Sequence, residues 1–377
     1  MQKEKIIQEL EELKNDNRFR VIKTNDKSLY NFSSNDYLGL AHDKDLLQKF
    51  YQNYSFDNYK LSSSSSRLID GSYLTVMRLE KKVEEIYGKP CLVFNSGFDA
   101  NSSVIETFFD KKSLIITDRL NHASIYEGCI NSRAKILRYN HLDVSALEKL
   151  LKKYSKDYDD ILVVTETVYS MDGDCTEIKK ICDLKDEYKF NLMVDEAHSY
   201  GVYGYGIAYN EKLIDKIDFL VIPLGKAGAS VGAYVICDEV YKNYLINKSK
   251  KFIYSTALPP VNNLWNLFVL ENMINFKVKI EKFQELITFS LNTLKKLNLK
   301  TKSTSHIISI IIGDNLNTVN LSNNLKELGY LAYAIKEPTV PKDTARLRIS
   351  LTADMKKEDI EKFFKALKAE IKKIGVI

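Results

Sequence analysis

The chain has 377 residues and a mass of 43.4 kDa, a length that favours two or three domains over one small module. Charged residues make up 28% and apolar residues 45%, which excludes an intrinsically disordered chain and a collagen-like chain. The net charge of +5 is spread along the chain rather than concentrated in a basic stripe, so we expect no nucleic-acid partner.

The cysteines and the N-terminal residues indicate a cellular compartment. None of the five cysteines forms a C-x-x-C pair, which argues against a disulfide framework or a zinc ribbon and for a reducing compartment. The first residues are charged, and no apolar run reaches the length of a membrane span. We therefore expect a cytoplasmic protein without a signal peptide, a membrane span or a bound metal.

The N-terminal part predicts a short helical arm followed by irregular chain. Ile6, Leu10 and Leu13 recur at helical spacing, which predicts an amphipathic helix over 2–14. Five consecutive serines at 62–66 resemble low complexity, but we interpret them as an ordered loop.

From residue 74, short apolar runs alternate with helical patterns, an order typical of βαβ units and a mostly parallel sheet. One helical pattern covers 176–189, with Ile178, Ile181 and Leu184 on one face. Strands are predicted at 92–94, 113–117, 161–165, 192–194 and 219–222.

Beyond the pair Pro259-Pro260 the composition changes, and a long helix is predicted from about residue 262. The rest of the chain predicts a smaller α+β unit. Its predicted elements are strands at 306–312, 330–335 and 345–351 and helices at 319–328 and 356–373.

Polar side chains follow several of the predicted strands. Gly97 opens a helical segment after the first strand, Asp195 and His198 follow the fourth, and Lys226 follows the fifth. In open parallel sheets the carboxyl ends of the strands form the edge at which ligands bind. We therefore expect these residues to line one site.

These groups suit pyridoxal 5′-phosphate (PLP), which needs a lysine for a Schiff base and a carboxylate for its pyridinium nitrogen. Asp195 is a candidate for that nitrogen, His198 for the phenolic oxygen and Lys226 for the Schiff base. A glycine at a helix N-terminus, here Gly97, supplies backbone N–H groups and a favourable dipole for the phosphate.

Two nucleotide-binding interpretations are rejected, because the sequence lacks the motifs that they require. Asp195–His198 spells the helicase tetrad DEAH, but a helicase needs the phosphate loop G-x-x-x-x-G-K-[ST]. The pair Gly225-Lys226 lacks both the earlier glycine and the following Ser or Thr. The glycines within 201–206 follow no strand directly, which argues against a dinucleotide site.

Along nearly the whole chain, these segments resemble the α-oxoamine synthases, which are fold-type-I PLP enzymes. The resemblance implies an α/β fold with a large PLP-binding domain, whose mostly parallel sheet is flanked by helices, and a smaller α+β C-terminal domain. We place an N-terminal arm at 1–45, the large domain at 46–265 and the C-terminal domain at 266–377. The matching strings are NFSSNDYLGL (31–40), SRLIDGS (66–72), NSGFDAN (95–101), TDRLNHASIYEG (117–128), ETVYSMDGD (166–174), VDEAHSYGVYG (194–204), LGK (224–226), YSTALPP (254–260) and EPTVPKDTARLRISLTA (337–353).

The resemblance implies roles for the cofactor site one residue at a time. Lys226 is similar to the Schiff-base lysine, Asp195 to the pyridinium partner and His198 to the phenolic-oxygen donor. His122 is similar to the histidine stacked on the ring, and with Lys226 and Asp195 it forms the implied catalytic set. The other implied cofactor contacts are Gly97 and Phe98 through backbone N–H groups, Glu166, Ser170, and Ser255 and Thr256 from the neighbouring subunit.

The contribution from a neighbouring subunit implies an obligate homodimer with shared active sites. On the substrate side, Arg348 is similar to the arginine that binds the amino-acid carboxylate, a task suited to a guanidinium fork. Arg20, Asn35 and Thr339 match further substrate-side positions.

The implied reaction is a decarboxylative condensation of an amino acid with an acyl thioester, with Lys226 as the general base. YSTALPP and EPTVPKDTARLR are most similar to the branch that joins L-alanine to a pimeloyl thioester in biotin synthesis. A glycine-using branch (glycine C-acetyltransferase, also called 2-amino-3-oxobutyrate CoA ligase), a non-catalytic subunit and an aminotransferase stay open. The sequence also leaves open whether the acyl carrier is coenzyme A or an acyl carrier protein.

Three positions depart from the family's pattern. Pro223 stands where the family has Ser or Thr, and it offers the phosphate neither a hydroxyl nor an N–H. Ser62–Ser66 stands where a glycine-rich loop is usual, and serine resists positive φ. Val76 stands where many members have His.

Overall fold

The computed structural model describes residues 2–22, 24, 26–55 and 59–375. The chain divides into two compact units. The larger unit comprises Asp36–Tyr169 and Cys175–Glu281, and the smaller unit comprises Met1–Asn35, Ser170–Asp174 and Lys282–Ile377.

The larger unit is built on a seven-stranded sheet in the order β2-β8-β7-β6-β5-β3-β4. Strand β8 runs antiparallel to both of its neighbours, and the other neighbouring strands are parallel. The strands are β2 (Cys91–Phe94), β3 (Leu114–Asp118), β4 (Lys135–Tyr139), β5 (Ile161–Glu166), β6 (Asn191–Asp195), β7 (Phe219–Pro223) and β8 (Ala233–Cys237).

Both faces of this sheet are buried under helices. In β5, Ile161 and Val163 enter one apolar core while Leu162 and Val164 enter the other. This near-continuous apolar pattern is typical of parallel strands covered on both faces. The helices of this unit are α2 (Lys44–Asn53), α3 (Leu74–Tyr87), α4 (Gly97–Phe108), α5 (Ala123–Ser132), α6 (Val144–Tyr154), α7 (Ile178–Asp183), α8 (Ile207–Asn210), α9 (Glu239–Lys248), α10 (Lys250–Ile253) and α11 (Pro260–Asn272).

The smaller unit contains an antiparallel sheet in the order β11-β12-β9 and a short parallel pair, β1 and β10. Phe363 stacks on Phe32 with 3.9 Å between ring centroids, which joins the C-terminal helix to the chain after β1. The strands are β1 (Tyr30–Asn31), β9 (Ile307–Gly313), β10 (Tyr330–Leu331), β11 (Tyr333–Ile335) and β12 (Ala345–Ser350), and the helices are α1 (Gln2–Asn15), α13 (Asn315–Glu327) and α14 (Lys357–Lys373). Helix α12 (Lys277–Lys296) begins in the larger unit and continues into the smaller one.

The predicted α/β fold with a mostly parallel sheet is confirmed, but several elements differ. Strands β4 and β8 were not predicted from the sequence; β4 is a half-exposed edge strand that carries Lys135 and Arg138. The predicted strand 330–335 is divided between two sheets, with Ala332 between the two parts. The predicted helix 176–189 is shorter, because the backbone N–H of Thr176 donates to the carbonyl of Thr167 instead of entering a helix.

The unit boundaries fall at residues 35 and 281, whereas the sequence placed domain boundaries at 45 and 265. Residues up to Asn35 belong to the smaller unit because β1 pairs with β10 and the Phe32 N–H donates to the Leu331 carbonyl. Helix α11 packs on α3 and therefore belongs to the larger unit. Across the described ranges, no helix has the length and apolar content that crossing a membrane requires.

Candidate active site

The larger unit brings the carboxyl ends of β2, β3, β5, β6 and β7 to one edge of its sheet, because these five strands run in the same direction. The segments that leave this edge carry Gly97, His122, Glu166, Asp195 and Lys226. The structure therefore brings together the residues that the sequence predicts for the cofactor site of this unit.

Asp195 ends β6 and is held by two hydrogen bonds. Its Oδ2 accepts from the Asn101 amide at 2.6 Å, and its Oδ1 accepts from the backbone N–H of Ala197 at 2.7 Å. The Asn101 amide also donates to the Ser124 hydroxyl at 3.0 Å. Asp195 is 3% exposed, so its carboxylate is buried but hydrogen-bonded, with a fixed orientation.

Glu166 and Asp195 are direct partners across the parallel pair β5 and β6, so two carboxyl groups lie side by side. Burial raises the pKa of the Glu166 carboxyl well above its usual range, and the neighbouring charge of Asp195 raises it further. Glu166 Oε1 accepts from the backbone N–H of His122 at 2.5 Å. The raised pKa favours the protonated form of Glu166.

His122 caps the N-terminus of α5. Its Nδ1 accepts from the backbone N–H of Ser124 at 3.2 Å and lies 2.8 Å from the hydroxyl of the same residue. Burial lowers the pKa of the His122 imidazole, Asp195 opposes this effect, and the charge of Lys226 adds to it. A neutral imidazole with a fixed ring suits a side chain that stacks on a cofactor.

His198 lies in the turn after β6 and is 3% exposed. Its Nδ1 is 2.6 Å from the Tyr37 hydroxyl, and this hydrogen bond fixes the orientation of the imidazole ring. Tyr37 is itself fully buried, so the pair forms a rigid contact.

The N-terminus of α4 fits a phosphate group. The first N–H groups of any helix lie outside its hydrogen-bond ladder, and here they belong to Gly97 and Phe98. Ser96 caps the helix by accepting from the Asp99 N–H at 3.0 Å. A Cβ at Gly97 would lie 2.6 Å from Pro223 Cγ, so only glycine leaves this approach open.

Lys226 is half-buried in a tight turn, in which its carbonyl accepts from the Ala229 N–H at 2.9 Å. Its positive charge lowers the pKa of both His122 and Glu166. The set of a lysine, a buried carboxylate, two histidines and a helix N-terminus fits the predicted PLP.

Ser255 and Thr256 lie beside the same helix N-terminus within one chain. The Thr256 carbonyl accepts from the Asn95 amide at 2.7 Å, and Ser66 pairs with Thr256 in an isolated antiparallel bridge. That these two residues reach the phosphate site of a neighbouring subunit stays a prediction.

The serine run Ser62–Ser66 is an ordered loop. The Ser63 hydroxyl donates to the Ala257 carbonyl at 2.6 Å, and Ser65 accepts from the Ala257 N–H at 2.9 Å. Ser64 adopts φ of 55°, so one serine does take the conformation that glycine would adopt more easily.

Arg348 and three of its predicted neighbours lie in the smaller unit. Its Nε donates to the Ser170 carbonyl at 2.6 Å, and one terminal nitrogen donates to Asn35 Oδ1 at 3.2 Å and to the Ser350 hydroxyl at 2.8 Å. In the same unit, Arg20 donates to the Thr339 hydroxyl at 2.9 Å. The four predicted substrate-side residues thus form two hydrogen-bonded pairs within one unit.

Three further residues of the larger unit's site were not predicted from the sequence. Asn101 and Ser124 hold Asp195 and His122, and Tyr37 holds His198. The sequence could have indicated Asn101, because it lies four residues after Gly97 and therefore on the same face of the predicted helix.

Glu196 was also missed, although it follows Asp195 directly. It is fully buried, and its Oε1 accepts from the Ala208 N–H at 2.8 Å. Burial raises the pKa of the Glu196 carboxyl to about 8.

The chain is similar to known proteins over most of its length. The aminotransferase class I and II family matches residues 27–367. A protein of Pasteurella multocida (strain Pm70) named "Putative 8-amino-7-oxononanoate synthase" is 40% identical over 376 residues, which covers 96% of this chain and 97% of that protein.

The fold of the chain is similar to the folds of two solved structures. The 8-amino-7-oxononanoate synthase of Francisella tularensis is 28% identical with a TM-score of 0.76, covering 93% of this chain and 99% of that chain. A structure of SPT with a PLP internal aldimine is 25% identical with a TM-score of 0.88, covering 99% of this chain and 98% of that chain. The predicted fold-type-I architecture is therefore confirmed. The chain belongs to the aminotransferase class I and II family and, within it, to the α-oxoamine synthases related to 8-amino-7-oxononanoate synthase.

Proposed function

We propose that the protein condenses L-alanine with a pimeloyl thioester to give 8-amino-7-oxononanoate, CO₂ and a free thiol, a step of biotin synthesis. The observation that carries this proposal is the cluster of Lys226, Asp195, His122 and His198 with the N-terminus of α4 at one sheet edge. The relatives' names support the choice of substrates.

Pyridoxal 5′-phosphate is the cofactor. Asp195 would hold the pyridinium nitrogen, because its buried carboxylate is already oriented by the Asn101 amide. His198 would meet the phenolic oxygen with a ring fixed by Tyr37, and His122 would stack on the ring face. When bound here, the cofactor supplies electron withdrawal that stabilises negative charge on the α-carbon of the amino acid.

The phosphate would lie at the N-terminus of α4, where the N–H groups of Gly97 and Phe98 and the helix dipole favour an anion. Pro223 adds neither a hydroxyl nor an N–H at the position where the family has Ser or Thr. The backbone groups of α4 therefore carry a larger share of phosphate binding than in family members with that hydroxyl.

Lys226 is the proposed proton carrier. Its Nζ would hold the cofactor in the absence of substrate and, with L-alanine bound, would accept the proton from the α-carbon. The same amine returns a proton after CO₂ has left.

Arg348 is the proposed carboxylate ligand of the amino acid. Its guanidinium is oriented by the Ser170 carbonyl and Asn35, so the fork is fixed before a substrate arrives. Arg20 and Thr339, hydrogen-bonded to each other, are assigned to the substrate side by the resemblance alone.

We also propose a cytoplasmic homodimer in which Ser255 and Thr256 reach the phosphate site of the partner. A mixing experiment tests this point. Lys226→Ala and a double variant with Ser255→Ala and Thr256→Ala are mixed after mild denaturation and reassociation. Recovery of activity above the sum of the two parents supports shared sites, and no recovery contradicts them.

The test of function is the release of free thiol from pimeloyl-CoA by purified, PLP-loaded protein in the presence of L-alanine, followed with a thiol reagent. Mass spectrometry then identifies the aminoketone product. Glycine with acetyl-CoA tests the neighbouring branch, and pimeloyl acyl carrier protein tests the other carrier. Thiol release with glycine but not with L-alanine would refute the proposed substrate and leave the reaction class intact.

A further inference from the structure

The smaller unit contains a large cavity that none of the assigned roles uses. It has a volume of about 890 Å³ and lies between the C-terminal end of α12, the following connection and strand β9. Small-molecule sites in proteins usually occupy clefts of about 300–1,000 Å³, so the cavity is large enough for a ligand of metabolite size.

One wall of the cavity is apolar. Leu291 and Leu294 line it from α12, Leu299 lines it from the following connection, and Ile311 lines it from β9. Ile311 is 47% exposed, which leaves apolar surface on this strand to be covered. A ligand with a hydrocarbon segment would cover it.

The entrance to the cavity is positively charged. Lys295, Lys300 and Lys302 line it, and all three are exposed. The acidic residue of the lining, Asp172, forms a buried ion pair with Arg346, so its charge is compensated within the protein. The surplus positive charge favours an anionic group on the ligand.

A buried hydroxyl group lies in the wall of the cavity. Ser309 lines the cavity and is 4% exposed, and its Oγ has no hydrogen-bond partner among the residues that the structure describes. A buried polar atom without a partner costs free energy, and such atoms are uncommon in native proteins. A ligand atom that accepts from this hydroxyl would remove that cost.

From these features we propose that the cavity binds a medium-chain carboxylic acid that carries a carbonyl group at its far end. The carboxylate would lie at the lysines, the methylene chain on the leucines and Ile311, and the carbonyl oxygen at Ser309. A second carboxylate at Ser309 is disfavoured, because one neutral hydroxyl cannot balance a buried charge.

Strand register connects this cavity to the proposed amino-acid site. Ser309 is the cross-strand partner of Arg348 in the pair formed by β9 and β12. The product proposed above is a keto acid of this class, so the cavity is a candidate site for sensing product; this last step rests on the proposed function.

The test is binding of 7-oxooctanoate to the full-length PLP-loaded protein, measured by isothermal titration calorimetry. Octanoate, which lacks the ketone, and 2-octanone, which lacks the carboxylate, are the matched probes. We expect 7-oxooctanoate to bind most tightly and Ser309→Ala to weaken it about three- to tenfold without affecting octanoate. Lys300→Gln and Lys302→Gln should each weaken both acids by up to about fivefold and leave 2-octanone unchanged.

Two variants of the same unit serve as controls. Ser322→Ala removes a hydroxyl that lies outside the cavity, and Lys372→Gln removes an exposed charge outside it. Both should bind 7-oxooctanoate as the wild type does. Equal binding of 7-oxooctanoate and octanoate by the wild type, or an unchanged affinity in Ser309→Ala, would overturn the inference.

The same titration distinguishes this site from the proposed active site. Binding that is lost in Lys226→Ala but kept in Ser309→Ala places the probe at the cofactor site and refutes the cavity, whatever the thiol assay shows. Binding that depends on Ser309 but not on Lys226 supports the cavity even if no thiol is released.

Discussion

The polar centre at the sheet edge and the cavity of the smaller unit satisfy their buried groups in different ways. At the sheet edge, Asp195 and His198 are held by protein partners at 2.6 Å, Asn101 for the first and Tyr37 for the second. In the cavity, the Ser309 hydroxyl is buried without a partner in the described chain. The Asp195 and His198 side chains are therefore already oriented for chemistry, whereas the unpaired Ser309 hydroxyl is suited to binding a ligand.

The largest effect is expected from a substitution of Lys226 at the sheet edge. Lys226→Ala should lower the rate of thiol release by about 10³-fold or more, because the general base is lost. Binding of 7-oxooctanoate should not change, which separates the two centres. Lys180→Ala, an exposed lysine on α7, is the control and should retain full activity. A Lys226→Ala protein within tenfold of the wild type would contradict the assigned base.

Arg348→Lys tests the proposed carboxylate ligand of the smaller unit. Loss of the planar fork and of the bond to the Ser170 carbonyl should raise the KM for L-alanine about 10- to 100-fold. The affinity for PLP, followed by absorbance, should stay unchanged. Arg78→Lys, an exposed arginine on α3, provides the matched control. An equal loss of PLP affinity would assign Arg348 a structural role instead.

Glu196→Gln tests how stability at the sheet edge depends on pH. Burial raises the pKa of Glu196 from its ordinary value of 4.5 to about 8 in the folded state. Folding therefore favours the protonated form, so the contribution of Glu196 to stability is complete below pH 4.5 and is lost as pH rises towards 8. The slope is at most about 1.4 kcal/mol per pH unit.

Urea unfolding at several pH values measures this slope in the wild type and in Glu196→Gln. The glutamine cannot ionise, so the variant should lose less stability than the wild type between pH 5 and pH 8. Parallel curves for the two proteins would show that Glu196 does not titrate in this range.

Tyr37→Phe tests the hydrogen bond that orients His198. Removing the hydroxyl should cost about 1 kcal/mol of unfolding free energy and lower activity, because the imidazole loses its fixed orientation. Tyr87→Phe is a close control: the Tyr87 hydroxyl donates to the Tyr205 carbonyl at 2.6 Å, the same length as the Tyr37 bond. The control should lose stability but keep its activity, and equal activity losses in both variants would contradict the role of Tyr37.

The smallest expected effect concerns the stability of Ser309→Ala in the absence of ligand. A buried hydroxyl without a partner costs free energy in the folded state, so Ser309→Ala should leave the unfolding free energy unchanged or raise it slightly. Ser303→Ala is the contrast within the same cavity, because the Ser303 hydroxyl bonds the Asp172 carbonyl and the Ser309 N–H. We expect urea unfolding to show a clear loss for Ser303→Ala, and equal losses would mean that the Ser309 hydroxyl is paired.

The sequence predicted those parts of the site that follow directly from the order of strands. Asp195 and Lys226 come just after apolar runs, and parallel strands bring their carboxyl ends to one edge, so proximity followed from topology. The alternation of apolar runs and helical patterns predicted the fold class in the same way. Strand β4 was missed, because a half-exposed edge strand with charged residues does not show the buried pattern.

Contacts between segments that are far apart in the sequence could not be predicted from the order of strands. The Tyr37–His198 bond joins residues 161 positions apart, and no spacing rule connects them. Whether the Ser309 hydroxyl has a hydrogen-bond partner depends on its neighbours in the folded chain, and a local sequence pattern does not show these neighbours. The unit boundaries at residues 35 and 281 depend in turn on the pairing of β1 with β10 and the packing of α11 on α3.

The contact between Gly97 and Pro223 has a consequence for how this chain can evolve. The proline ring fills the space that a side chain at position 97 would need, at 2.6 Å from its Cβ. Proline and serine codons differ by a single nucleotide change, so position 223 can regain a hydroxyl in one mutational step. Position 97 has no such freedom while the ring is present, and across descendant lineages a larger residue there should appear only after position 223 has changed.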